Sequence, residues 1–336
     1  TGLCILDANG ALVARFSGTD GFPAIGNLDA DPNPEIIVIS SGIIRAYEHD
    51  GTTRWTLSGP GGGLGPATIG NFIASDAAPE IAVAGSTSYV VIDEVINSSG
   101  NPVGQIVFQK ATQDASSNVT GSSIFDFEGD GVAEAVYNDE CFIHVYDTRY
   151  PASDPRSDKF RLSNTSGTTH EYPIIADVDN DGNAEIIAIR NDYSTGIRDA
   201  CRTWSGFQDS GFGHGIRVFG DAADNWVRTR RIWNQHVYWV TNVEEDATIP
   251  VVQERNFELF NNFRQNVQPS GAFNAPNLVV SRLDSNPDAC PAALNLEIEV
   301  ANDGSLGVAA GTWLALYAIN LPAPDTRALL GYVQLG

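Results

Sequence analysis

Methionine is missing from all 336 residues, and basic residues are scarce, 19 Lys and Arg against 42 Asp and Glu. The first absence implies a processed form or a fragment rather than a chain that keeps its initiator, and it is compatible with a removed signal peptide. The second leaves a formal net charge of −23, which repels a phosphate backbone or an anionic surface and argues against a nucleic-acid partner. No apolar run approaches the roughly 20 residues of a membrane helix, so no membrane insertion is expected. Cys4, Cys141, Cys201 and Cys290 lack the CxxC spacing of a zinc site, and the sequence leaves their disulfide pairing open. His49, His144, His170, His214 and His236 show no HExxH or HxH spacing, and no Ser or Cys nucleophile motif accompanies them.

What is present is a repeat. The stretch ADVDNDGNAEIIAI (176–189) recurs as IGNLDADPNPEIIVI (25–39) and FDFEGDGVAEAVY (125–137), with a worn copy, IGNFIASDAAPEIAV (69–83). The closing glutamates Glu35, Glu80, Glu134 and Glu185 return about every 50 residues, the period of a propeller blade. Each unit reads as a short apolar strand (23–26), an acidic loop, a β-branched strand (35–40) and a hairpin (43–55) with an Asp50-Gly51 turn. Four strands per unit and no convincing amphipathic helix predict an all-β chain, a β-propeller of four-stranded blades with about five visible. Residues 3–16 match the last two strands of a unit. Residues 232–243 are expected to supply the first two, closing the ring through a shared blade and covering its edges.

A polar, Pro/Gly-bearing linker at 267–277 (VQPSGAFNAPN) separates the propeller, 1–266, from a second domain, 278–336. There 278–281, 294–300 and 313–319 alternate like sandwich strands, with a turn at 302–305. About 60 residues fall short of the roughly 100 of an immunoglobulin-type sandwich, so this domain is expected to be incomplete.

The acidic loops have the chemistry of a calcium site. In 177–185, the side chains of Asp177, Asp179, Asp181 and Glu185 and the carbonyl of Asn183 can converge on one point, and Gly182 permits the bend. Unneutralised, those carboxylates repel one another. The same positions are Asp126, Glu128, Asp130, Val132 and Glu134 in the third loop, with Gly131 kept. In the first they are Asn27, Asp29, Asp31, Asn33 and Glu35, with Pro32 in place of the glycine. Two to three Ca²⁺ ions are therefore expected. The second copy has an extra residue and Ile73 or Ala74 where a ligand belongs, so Asn71, Ser75, Asp76 and Glu80 read as a metal-free turn.

The repeated (Gly/Ala)-(Asn/Asp)-x-Asp-x-Asp-x-x-x-Glu before an apolar strand resembles the FG-GAP/VCBS repeats of integrin-α-type β-propellers, over roughly residues 3–265. The tail, with EIEVANDGSL (297–306) and AGTWLALY (310–317), is similar to the cell-adhesion-related Ig-like domain of bacterial surface proteins. These resemblances imply a secreted or cell-surface protein, bacterial, calcium-loaded at its rim and used for adhesion, ligand binding or scaffolding.

Outside the loops, the densest unusual patch is RTRRIWNQHVYWVTN (228–242). Arg230, Arg231, Trp233, His236, Tyr238 and Trp239 could form a ligand surface that stacks on a sugar or clamps an acidic glycan. The competing and favoured reading makes the segment structural, its residues alternating as closing strands. The cluster Glu244-Glu245-Asp246 reads as a turn rather than a catalytic pair, and 211–215 as a flexible insertion rather than a phosphate cradle. The expectation is a non-enzymatic extracellular adhesion or structural module of a larger protein, with a glycan or protein partner or self-association. The alternative is a polysaccharide-active lyase or hydrolase built on the same propeller.

Overall fold

The computed structural model describes residues 2–7, 9–17, 20–29, 31–75, 78–192, 194–211, 213–267, 278–302, 312–319 and 327–334. The chain divides into two compact units, Thr1–Val267 and Gln268–Gly336. The first unit opens with an antiparallel pair, β1 (Gly2–Leu6) and β2 (Leu12–Ser17). Three four-stranded antiparallel sheets follow. They are β3 (Phe22–Gly26), β4 (Glu35–Ser40), β5 (Ile43–Tyr47) and β6 (Thr53–Ser58); β7 (Thr68–Gly70), β8 (Glu80–Ala84), β9 (Ser88–Ile96) and β10 (Pro102–Ala111); and β11 (Ser123–Phe125), β12 (Glu134–Asn138), β13 (Phe142–Tyr146) and β14 (Asp158–Ser163). A fourth sheet has three strands, β15 (Ile174–Ala176), β16 (Glu185–Arg190) and β17 (Gly215–Phe219), with α1 (Thr195–Cys201) inserted before β17.

Strand order within each sheet follows the chain, and the first strands stand side by side, β3 by β7, β7 by β11 and β11 by β15. The sheets are the four blades of a β-propeller, with β1 and β2 as a half-blade against the first. The second strands are continuous apolar runs because both faces are covered. On β8, Ile81 and Val83 join Ile37, Ile39 and Ile44 of the first blade. Ala82 and Ala84, pointing to the opposite face, join Ile124, Ala135 and Tyr137 of the third. A further cluster packs Val136, Ile143 and Val145 on Ile175, Ile186 and Ala188. Each fully buried Ile or Val contributes about 1.5–3 kcal/mol, so consecutive blades are held face to face by their second and third strands.

Three sequence expectations are corrected here. Among the described residues three blades have four strands, the fourth has three and the half-blade two. A seven-residue helix, α1, exists, its start capped by the Ser194 hydroxyl accepting from Ile197 N. Residues 232–243 contain no strand, so they do not complete the half-blade.

Residues 226–267 instead form an irregular strap, with α2 (Asn256–Leu259) as a single helical turn. The strap lies along the edges of the innermost strands that no blade partner covers. Asn261 exchanges two hydrogen bonds of 2.8 Å with the backbone of Asn27, just after β3. Phe263 and Ile69 on β7 exchange backbone bonds of 2.8 and 3.2 Å, and Ile124 on β11 donates to the Arg264 carbonyl at 3.1 Å. The Asn266 amide donates to the Ile175 carbonyl on β15 at 2.9 Å. One segment thus supplies partners to backbone groups that would otherwise be buried unpaired at the axis.

The second unit contains two antiparallel pairs, β18 (Leu278–Asn286) with β19 (Asn295–Asn302) and β20 (Trp313–Ile319) with β21 (Arg327–Gln334). None of the buried apolar clusters includes a residue of this unit, and Leu283, Trp313 and Tyr332 are exposed. The expected sandwich core is not formed among the described residues. The linker beyond Val267 lies outside them.

Candidate metal centre

Every acidic loop is closed by a buried glutamate that performs the same task. The Glu35 carboxylate accepts from Leu28 N at 2.6 Å, Glu80 from Phe72 N at 2.6 Å, Glu134 from Phe127 N at 3.2 Å and Glu185 from Val178 N at 2.9 Å. The glutamate sits at the first position of the second strand, so the sheet fixes its backbone while its side chain folds the loop back. This clamp operates in the second copy as well, where the other ligand types are lost. Burial pushes Glu35 and Glu185 up to about 7, and it raises Glu134 well above the usual carboxylate range. A buried carboxylate held charged needs a cation beside it.

At 177–185 several carboxylates converge. Carboxylate oxygens of Asp177, Asp179 and Glu185 all lie within 4.8 Å of one another. Two oxygens bound to one Ca²⁺ at about 2.3–2.6 Å stand at most about 5 Å apart, so the spacing and the all-oxygen donor set fit calcium. The loop is shaped by its own side chains, Asp177 accepting from Asn180 N at 2.6 Å, Asp179 from Asp181 N at 3.2 Å and Asp181 from Asn183 N at 2.8 Å. Gly182 adopts φ 100°, and a Cβ there would meet the Arg228 guanidinium. Burial raises Asp177 above its ordinary value. Asp181 stands outside the converging trio. Two arginines border this loop, Arg228 against Gly182 and Arg231 on the Asn180 side-chain oxygen at 2.7 Å.

The third loop is arranged differently. Arg149 pairs with Asp130, with Glu134 at 3.1 Å and with Glu128 at 3.6 Å, while Asp147 steadies it at 2.7 Å. Lys159 pairs with Glu128 and, at 3.1 Å, with Glu134. Asp126 accepts from Asp130 N and Gly131 N, and Asp130 accepts from Val132 N. In the first loop Asp29 pairs with Arg54 at 2.9 Å, and Asn27, Asp29 and Asp31 each accept the N–H two residues on, the last that of Asn33. In the second, Asn71 donates to the Gly131 carbonyl at 2.7 Å and so ties neighbouring loops together, while Asp76 lies outside the described residues. The sequence reading passed over Arg54, Arg149 and Lys159. The available signal was rarity, since Lys159 is one of two lysines in the chain.

The candidate ligand surface does not hold together as one face. Arg230 is buried, donating to the Tyr238 hydroxyl at 3.0 Å and to the carbonyls of Val240 and Val243 at 3.0 and 2.7 Å, with Glu245 at 2.6 Å as its counter-charge. Those bonds curl 238–243 about the guanidinium, which is why an alternating segment is not a strand. Tyr238 is buried against Trp233, with ring centroids 4.3 Å apart. Arg231 is exposed and reaches Asn180 at 2.7 Å. Trp239 stacks on Phe263, and His236 Nε2–H donates to the His170 carbonyl at 2.7 Å. Trp233 and His236 remain beside an open hollow of about 260 Å³ with Tyr172, Glu171, Asn234 and Gln235. Glu244-Glu245-Asp246 form a turn, Ala247 N donating to Glu244 O and Glu244 N to Thr248 O.

A disulfide joins Cys141, at the β12–β13 turn, to Cys201, at the end of α1. It fixes the insertion of the fourth blade against the third, where Ile197, Phe142, Trp204 and Phe207 form a small core. Cys4 and Cys290 are free thiols.

No protein-family model matches the chain, and no curated protein matches it. Among solved structures the chain is similar to the V. cholerae biofilm matrix protein Bap1, with a TM-score of 0.61 and 17% identity, over 78% of this chain and 67% of that one. At that identity the likeness is one of fold.

Proposed function

We propose that this chain is a calcium-binding, non-enzymatic propeller module of an extracellular adhesion or matrix protein, of the FG-GAP/VCBS kind, engaging a glycan or protein partner or further copies of itself. The observation that carries the reading is the convergence of Asp177, Asp179 and Glu185 at a spacing one Ca²⁺ can bridge. The Cys141–Cys201 disulfide supports an oxidising compartment outside the cell. The fold shared with a biofilm matrix protein supports a matrix role, and no helix among the described residues is long and apolar enough to cross a membrane. Asp177, Asp179 and Glu185 would hold the ion and the Asn183 carbonyl would complete the set. The ion would neutralise the loop and fix its fold, a structural contribution that needs no reaction.

The test is binding of Ca²⁺ to the whole chain together with adhesion to immobilised bacterial exopolysaccharide, with and without chelator. Calcium-dependent retention without depolymerisation of the polysaccharide is expected. Release of unsaturated or reducing ends would move the assignment to the lyase or hydrolase reading.

A further inference from the structure

Each complete blade has a β-bulge at the same place in its outermost strand. In the first, Tyr47 pairs with Thr53 and Ala46 with Trp55, leaving Arg54 as the extra residue. In the third, Tyr146 pairs with Asp158 and Val145 with Phe160, leaving Lys159. In the second, Ile92 pairs with Ile106 and Val91 with Phe108, leaving Val107. The three positions are equivalent across the blades, because Ile36, Ala135 and Ile81 are the partners of Tyr47, Tyr146 and Ile92 on the second strands. A bulge frees one side chain from the alternation of the strand and re-aims it. Here the freed residue follows the third position of the blade's own loop. Arg54 meets Asp29 and Lys159 meets Glu128, whereas Val107 belongs to the blade whose loop has Ile73 there. The fourth blade has Asp179 at that position and, among the described residues, no outermost strand.

We infer that the bulge residue of the outermost strand is a built-in counter-ion, so that the loops at 27–35 and 126–134 are neutralised from within and 177–185 alone takes a divalent cation. The inference rests on calcium at 177–185 for its last clause only. Lys159 bridges Glu128 and Glu134 of the third loop and Arg54 holds Asp29 of the first, so an ion would have to compete with a cation that the sheet already holds on these carboxylates. In the third loop Arg149 adds a second positive charge, so two cations pair with Glu128, Asp130 and Glu134, while Asp126 accepts from backbone N–H groups. In the first, Arg54 also binds Glu94 of the next blade at 2.5 Å, and Trp55 donates to the same carboxylate at 2.6 Å, so the counter-ion is anchored across a blade interface. On this inference the loop pattern alone, which expects two to three ions, treats as equal loops that differ in the charge beside them.

The test is calorimetric titration of the chelator-stripped whole chain with Ca²⁺. One ion per chain is expected, none after Asp179→Asn, and two after Arg149→Gln with Lys159→Gln, which empties the third loop of its internal charge. Two or three ions on the unmodified chain, or no additional ion on the double variant, would overturn the inference. No ion on the unmodified chain but one on the double variant would remove the site at 177–185 while leaving the internal counter-ions standing. A mutant cycle read in chelator keeps the question open to decision should the double variant not fold. Lys159→Gln should lower the unfolding midpoint of the unmodified chain clearly and that of a Glu128→Gln chain far less. Equal losses in both backgrounds would mean that Lys159 does not act through Glu128.

Discussion

The third and fourth blades share an inner half: a short first strand, an acidic loop, a buried glutamate and a second strand whose register places Tyr146 opposite Ala135 in one and Phe219 opposite Ile186 in the other. They part company after that. The third continues through a turn to β14, while the fourth inserts α1 before β17 and then abandons the blade. Asp221 closes a turn on Ala223 N and Asn225 N, after which Trp226 packs on Phe127 at 4.6 Å and Val227 N donates to the Phe127 carbonyl. Apolar burial against the third loop takes the chain inward at the point where an outermost strand would begin. The repeat thus encodes the inner half of a blade, where both faces are buried. The outer half is free to change, and with it the charge supplied to the loop.

The widest difference between the two blades is the strap that replaces the missing strand, and breaking it should have the largest effect. Arg230→Ala removes a buried cation that serves the Tyr238 hydroxyl and two carbonyls and faces Glu245. A loss of about 2–4 kcal/mol is expected, because the carbonyls of Val240 and Val243 lose their donor at about 1–3 kcal/mol for each buried group left unpaired, measured from denaturant midpoints. A loss below about 1 kcal/mol would show that the strap is dispensable to the blades.

Next comes the joint between them. Replacing Cys141 and Cys201 together by Ala opens a loop of 60 residues, for which chain entropy gives about 4 kcal/mol. Because α1 and the residues after it rest on this bond and a small core, hydrogen exchange should rise first at 191–214. Exchange spread evenly over all blades would argue that the insertion is no separate element.

Calcium should separate the two loops directly. At free Ca²⁺ about a hundredfold above the dissociation constant, binding stabilises by about 2.7 kcal/mol, so chelation should lower the thermal midpoint of the unmodified chain. Asp179→Asn should abolish that response, whereas Asp130→Asn in the third loop should leave it in place. The reverse pattern would exchange the roles of the two loops.

The second strands were legible almost to the residue. The run 35–40 is an uninterrupted set of β-branched residues bounded by a glutamate and a serine, and β4 has those bounds. The loop closures were legible too, because Glu35, Glu80, Glu134 and Glu185 recur in phase. The strap was not. Its alternation of apolar and polar residues from Ile232 to Val240 imitates a strand, and only the burial of Arg230, drawing Val240 and Val243 onto one guanidinium, curls it. The counter-ions were equally hidden, since Lys159 and Glu128 are 31 residues apart and their meeting depends on a bulge that no local pattern announces. Candidate ligands could be read from residue types, but which loop meets a charged bulge residue depends on the outermost strand.

The smallest expected effect is also the sharpest check on that last point. Val107 occupies the bulge position in the second blade, where the loop carries Ile73 at its third position and a counter-ion has nothing to meet. It is 41% exposed, so a lysine can point its ammonium into water. Val107→Lys should therefore change stability by no more than about 0.5 kcal/mol, the usual range for a surface substitution. The same lysine combined with Ile73→Glu recreates the pairing of the third blade, and the pair should be more stable than the sum of the two single changes by about 0.2–1 kcal/mol, the worth of a partly exposed ion pair. Strict additivity would show that the bulge does not aim its residue at the loop, and the resemblance between Arg54 and Lys159 would then be one of composition alone.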